Sequence, residues 1–117
     1  MNIEERIERI IRLLDEKKAE EIEVFNLENI DYIAKRVVIA NSLGGKHTAA
    51  LYDHMREELK PLGETFFGAD ESDEWIVVDL GEIIVHLMTP NYRQRYSLEE
   101  FLEELRAGKK ERKEIYL

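Results

Sequence analysis

The residues here whose types lend themselves to chemistry are few: three histidines (His47, His54 and His86), a serine at Ser42 ahead of Gly44-Gly45, one tryptophan, and a large excess of carboxylates. There is no cysteine, which removes thiolate catalysis, a disulfide framework and a cysteine zinc site. His47 and His54 lie about two turns apart on a predicted helix, too far to ligate one metal together. Asp53, Asp79 or His86 could only join them through the fold, and no ligand motif supports that, so neither a metal nor another cofactor is expected. Asn41-Ser42-Leu43-Gly44-Gly45-Lys46-His47 stands where a strand hands over to a helix, a place where glycines can cradle an anion. The spacings of the phosphate-binding loop and of the dinucleotide fingerprint are both missing, so a flexible connection is the plainer reading. Ser42 has no Gly-x-Ser-x-Gly elbow around it. With 26 acidic residues, carboxylate pairs arise from abundance alone and say nothing about acid–base catalysis.

The balance of charge says more. The net charge of −9 over 117 residues repels phosphate backbones, so direct, specific nucleic-acid binding is not expected. A basic protein partner fits the charge; solubility alone would also account for it. Hydrophobic residues make up 44%, enough for one domain with its own core. The charged start Met1-Asn2-Ile3-Glu4-Glu5-Arg6 is unlike a signal peptide. No apolar run approaches the roughly 20 residues of a membrane helix. The expectation is a soluble cytoplasmic protein with no membrane contact.

The elements that must position these residues follow from periodicity. Ile3, Ile7, Ile10, Ile11 and Leu14 recur at helical spacing over about the first 17 residues. Ile22, Val24 and Phe25 read as a short strand, and 26–32 contains a turn. Val37-Val38-Ile39-Ala40 is a β-branched run of the kind buried on both faces of a sheet. A second helix is predicted from Lys46 to Lys60, with Leu51, Met55, Leu59 and Leu62 as its stripe, ended by Pro61 and Gly63. Thr65-Phe66-Phe67 reads as a strand and 68–74 as an acidic loop. Trp75 to Asp79 and Glu82 to Met88 flank Leu80-Gly81 as a β-hairpin. Thr89-Pro90 opens a short helix carrying Tyr92, Arg93 and Arg95. Ser97-Leu98-Glu99-Glu100 has the form of a capping box, and the helix it opens closes at Gly108. The fold class is therefore α/β: a single domain over 1–108, with a mixed sheet of about five strands and flanking helices. A charged tail is expected over 109–117.

Alternation along the hairpin sorts its side chains into two faces. A turn centred on Leu80-Gly81 pairs Asp79 with Glu82, Val77 with Ile84 and Trp75 with His86. Ile76, Val78, Ile83, Val85 and Leu87 then form a wholly apolar core face. Trp75, Val77, Asp79, Glu82, Ile84 and His86 form a mixed one. An aromatic, two carboxylates and aliphatics on one sheet face suit a protein-binding surface. The pattern by itself favours the other arrangement, a face covered by one of the chain's own helices, with Trp75 in the core and His86 hydrogen-bonded beneath it.

Three stretches resemble a known family. Val37 to His47 is similar to the segment of the Iojap family of bacterial ribosomal silencing factors that ends a strand and starts a helix with a basic residue followed by histidine. Asp73 to Met88 resembles that family's hairpin: a tryptophan, an apolar run, Asp-apolar-Gly-acidic, a second apolar run, then histidine. Arg95-Tyr96-Ser97-Leu98-Glu99 resembles its tyrosine before an apolar-acidic helix start. The likeness spans roughly residues 3–105. It departs at Arg36-Val37, where the family has an Asp-aromatic pair, and at Asn41-Ser42-Leu43-Gly44, where the family has a Thr-Gly-Thr-Ser-like turn.

The resemblance implies a nucleotidyltransferase-like fold without catalytic activity. It also implies a partner on the large ribosomal subunit, a basic ribosomal protein (number fourteen) at the intersubunit face, and silencing of translation by keeping the small subunit from joining. It maps Trp75 and Leu80 onto interface positions. Asp79 and Glu82 join them as charge complements, and Gly81, His86, Arg95 and Tyr96 complete the candidate set. The alternative is a nucleotidyltransferase-like enzyme using a nucleoside triphosphate. That chemistry needs a Gly-Ser turn and spaced strand carboxylates for magnesium; Gly-Ser is absent, and no Asp-x-Asp falls on a strand. A third reading is a homodimer through the same hairpin face.

Overall fold

The structure, a computed structural model, describes residues 1–108; the tail expected over 109–117 lies outside the described residues. Helix α1 spans Ile3–Glu16. Asn2 starts it with a reciprocal cap: its side-chain oxygen accepts from the Glu5 amide at 2.9 Å, and its own amide donates to the Glu5 carboxylate at 3.3 Å. Ile7, Ile10, Leu13 and Leu14 form its buried stripe. Strand β1 (Glu20–Asn26) returns antiparallel to β2 (Arg36–Asn41). All six residues of β2 are buried, as the unbroken apolar run requires of a central strand. Helix α2 covers Gly45–Leu59 and ends in a 3-10 turn, Lys60–Leu62. Leu62 leaves the predicted stripe there and is exposed.

Strands β3 (Gly68–Glu71), β4 (Trp75–Asp79) and β5 (Ile83–Met88) complete a sheet of order β1-β2-β5-β4-β3. β2 and β5 are parallel and the other neighbours antiparallel, so the five-stranded mixed sheet matches the expected class. Helices α3 (Pro90–Tyr96) and α4 (Leu98–Arg106) follow. α1 and α2 pack on one face of the sheet around Val38, Ala40, Ile76, Val78, Val85 and Leu87. Leu98 and Leu102 of α4 pack on the other, against Phe25, Val37, Ile39 and Met88. Each fully buried Leu or Ile adds roughly 1.5–3 kcal/mol over the same side chain in water. Among the described residues no helix is long and apolar enough to cross a membrane.

Three local expectations are corrected. The strand read at 65–67 lies instead at Gly68–Glu71, inside the stretch read as a loop. It is an edge strand held by backbone pairing with β4, so its polar side chains need not alternate with apolar ones. The hairpin register is also displaced. Leu80 N–H donates to the Ile83 carbonyl at 2.9 Å, which leaves Gly81-Glu82 as the loop, and Asp79 pairs with Ile84 rather than Glu82. Glycine thus takes the position with φ +87°, the left-handed conformation that tight hairpin loops need, and apolar Leu80 turns inward. Finally, Ser97 is no capping box: at φ +47° it joins α3 directly to α4, and its side chain makes no cap hydrogen bond to α4.

Candidate protein-docking face

Each residue of the hairpin pairs two positions further along than expected, and an even displacement leaves its face unchanged. Trp75, Val77 and Asp79 on β4 therefore still share a side of the sheet with Ile84 and His86 on β5. Pairing extends that side in rows: Ile39, His86, Val77 and Asp70 lie across the sheet in one, and Val37, Ile84, Asp79 and Gly68 in the next.

Neither sequence reading of this face holds for the whole of it. The core beneath α4 takes in the β1–β2 half and the Met88 end of β5, and partly buried Trp75 of β4 packs against its edge. The β3–β4 half is left as a shallow groove. One part, of about 260 Å³, is lined by Ile33, Asp70, Val77, Asp79 and Ile84 among others. An adjoining part, of about 240 Å³, is lined by Asp70, Glu71, Ser72, Trp75 and Val77. Asp70, Glu71 and Asp79 form no ion pair among the described residues. The buried guanidinium groups are engaged elsewhere, Arg36 with Glu4 and Glu28, and Arg93 with Glu23 and Glu99. The groove is thus apolar in its floor and negative along its rim.

The candidate residues divide into two groups. Trp75, His86 and Tyr96 come together. The Trp75 ring, partly buried, lies 5.1 Å from Tyr96 and 5.9 Å from His86 between ring centroids, and its indole N–H donates to His86 Nδ1 at 3.0 Å. Tyr96 is 49% exposed. Exposed Arg95 places its guanidinium carbon 5.7 Å from the Tyr96 ring centre, within cation–π range. His86 itself is 0% exposed; burial holds its pKa down at about 4, so it is neutral and offers no surface of its own. Ile84 is likewise buried, contrary to the expectation that the whole mixed face is open.

Leu80, Gly81 and Glu82 gather at the turn instead. Leu80 is 2% exposed and belongs to the core beneath α1 and α2, so it braces the turn from inside rather than presenting itself outward. The Asp79 carboxylate accepts from the Gly81 amide at 2.8 Å. Glu82 faces away from Asp79, toward Arg6 at 3.1 Å and Lys35 at 3.0 Å, and these cations hold its pKa below the usual carboxylate range, the Lys35 hydrogen bond foremost. Arg6 also grips Glu64 through two hydrogen bonds, at 2.7 and 2.9 Å.

His47, Ser42 and Gly45 have structural work, whereas the buried Nε2 of His54 has no hydrogen-bond partner among the described residues. His47 Nδ1 accepts from the Leu43 amide at 2.8 Å and Nε2 donates to the Lys17 carbonyl at 2.5 Å, tying the β2–α2 connection to the end of α1. Ser42 is buried, 2.6 Å from the Thr48 hydroxyl. Gly45 makes room for a close approach: a Cβ there would stand 3.2 Å from the Asp73 carbonyl oxygen, tighter than most such contacts. Among the described residues no three ligating side chains converge. Asp70 and Ile33 were missed from sequence. Their place in the groove depends on β3 pairing and on the path of the β1–β2 connection, neither of which leaves a periodic trace.

Comparison with known proteins agrees with the resemblance. The sequence model of a family described as "Ribosomal silencing factor during starvation" matches residues 1–115. A ribosomal silencing factor of Haemophilus influenzae is 32% identical over 95 residues, which cover 80% of this chain and 93% of that protein. One from Chromobacterium violaceum is 29% identical over 101 residues, 85% of this chain and 83% of that protein. A crystal structure of a Chromobacterium violaceum protein superposes with a TM-score of 0.83 at 28% identity, covering 88% of each chain.

Proposed function

The chain belongs to the ribosomal silencing factor family, and from that premise we propose that it represses translation in the cytoplasm by seating its Trp75 face on a basic protein of the large ribosomal subunit, number fourteen, at the intersubunit surface. An acidic body held there occupies the space that the small subunit must enter. The mechanism is exclusion and requires no bond to be made or broken. In this reading Trp75 and Tyr96 are the aromatic anchors, and Arg95 lies at their rim. Asp79, with Asp70 beside it, supplies the charge that a basic partner answers. Leu80, Gly81 and Glu82 hold the hairpin turn in shape, and His86 fixes the indole from beneath.

The observation that carries the proposal is the groove itself: an apolar floor beside partly buried Trp75, edged by carboxylates without an ion pair among the described residues. Interfaces concentrate their energy in such aromatic positions, where truncation commonly costs about 2 kcal/mol or more. The test is co-sedimentation with purified large subunits. The native chain is expected to pellet with them and to inhibit joining of small subunits. Trp75→Ala, folded by circular dichroism, is expected to stay in the supernatant. Pelleting of that variant at the native level would refute the assignment of the face.

A further inference from the structure

We infer that Arg93 is a positioning residue for the docking face, holding α3 so that Tyr96 stands against Trp75; the inference rests on the reading of that face given above. Arg93 is buried, and its guanidinium reaches four acceptors on three other elements. Nε donates to Glu99 of α4 at 2.8 Å. Nη1 donates to the Glu21 carbonyl of β1 at 2.5 Å and to the Asn41 side chain of β2 at 3.0 Å, and Nη2 donates to Glu23 of β1 at 2.5 Å. Only a planar fork of donors serves that many directions at once. β1 is shaped to meet it. Its register breaks between Glu20 and Glu23, and Glu21, whose carbonyl Arg93 engages, sits at φ +49°, a conformation that costs a non-glycine residue on the order of 1 kcal/mol.

Besides Arg93, helix α3 is held at its start, where the Thr89 amide donates to the Glu74 carbonyl at 3.0 Å, and by Tyr92 against the core beneath α4; neither contact reaches its C-terminal end at Tyr96. The helix is seven residues long with no side-chain cap, well short of a length that is stable alone. One turn beyond Arg93, the Tyr96 ring lies 5.1 Å from Trp75 and 5.6 Å from Tyr92. Ser97 follows at once as the joint to α4, so no slack chain separates the anchored residue from the aromatic one. Trp75 is thus held between two fixed partners, His86 by hydrogen bond and Tyr96 by ring contact. A buried cation is a poor way to gain stability alone, since apolar replacements often match it. Its return here is orientation, which lowers the ordering cost of binding.

Trp75 is the sole tryptophan, so its fluorescence reports on the arrangement directly. Arg93→Lys keeps the charge and loses the fork. Under conditions where it is fully folded by circular dichroism, acrylamide is expected to quench Trp75 more strongly than in the native chain, and large-subunit binding to weaken about tenfold, the scale of ordering one or two side chains. Leu59→Ala, which opens the core on the opposite side of the sheet, is the control for general loosening and is expected to leave quenching and binding at native levels. Native-like quenching or native-like binding in Arg93→Lys would overturn the inference, as would equal effects from Leu59→Ala. Native binding by Trp75→Ala rejects the docking face itself, and the quenching comparison then still decides whether Arg93 holds the indole.

Discussion

The indole N–H of Trp75 donates to Nδ1 of His86 at 3.0 Å, which places the imidazole proton on Nε2 and makes a buried, neutral histidine the support of a partly exposed tryptophan. The two residues come from opposite strands of the hairpin, yet they are not directly paired: Trp75 lies opposite Met88, and His86 opposite Val77. The contact is a diagonal across one face, within reach for large side chains.

Acidification is expected to weaken this protein in part through His86. Its pKa is held at about 4 by burial, against about 6.5 in the unfolded chain. Between those values the unfolded state takes up a proton that the native state does not, so stability falls as pH drops from about 6.5 toward about 4, by up to roughly 3 kcal/mol. Urea denaturation across that range checks it. His86→Gln should remove this part of the slope, and an unchanged slope would reject the assignment.

Leu80→Ala is expected to act on stability before it acts on binding. Leu80 is buried in the core beneath α1 and α2, and a truncation of that kind costs about 2–5 kcal/mol. Denaturation midpoints should fall. Large-subunit binding, measured where the variant is still fully folded, should stay near the native level.

Asp70→Asn combined with Asp79→Asn is expected to do the reverse. Asparagine at 79 can still accept the Gly81 amide hydrogen bond that the carboxylate accepts at 2.8 Å, so stability should change by no more than about 0.5 kcal/mol. Association with the large subunit should slow, and its rate should depend less on salt. An unaltered salt dependence would remove these carboxylates from the interface.

Arg6→Ala and Glu82→Ala separate the two halves of the clasp at the turn. Glu64, with its side chain 5% exposed, is left without its guanidinium in the first, an uncompensated buried charge that costs about 3 kcal/mol. Glu82 has a side chain 50% exposed, where solvent screens its pairs, so its loss should cost less than about 1 kcal/mol. Thermal denaturation should rank the two in that order.

Local patterns carried much of the architecture. The stripe of Ile7, Ile10 and Leu14 identifies α1, the β-branched run at 37–40 identifies a central strand, and alternation sorts the hairpin correctly even though its register was displaced, because a shift of two preserves parity. Alternation puts Trp75 and His86 on one face, and the resemblance adds Tyr96 to the wider candidate set; that Trp75 meets both of the others is a finding of the structure. Tertiary packing alone decided the rest: that the core under α4 stops at the Met88 end of β5 and the edge of Trp75, that Gly68–Glu71 pairs as an edge strand, that Leu80 turns inward, and that Arg93 is buried among four acceptors. Periodicity records which side of its own element a side chain takes, since that follows from backbone geometry a few residues long. Whether that side is then covered depends on elements distant in sequence.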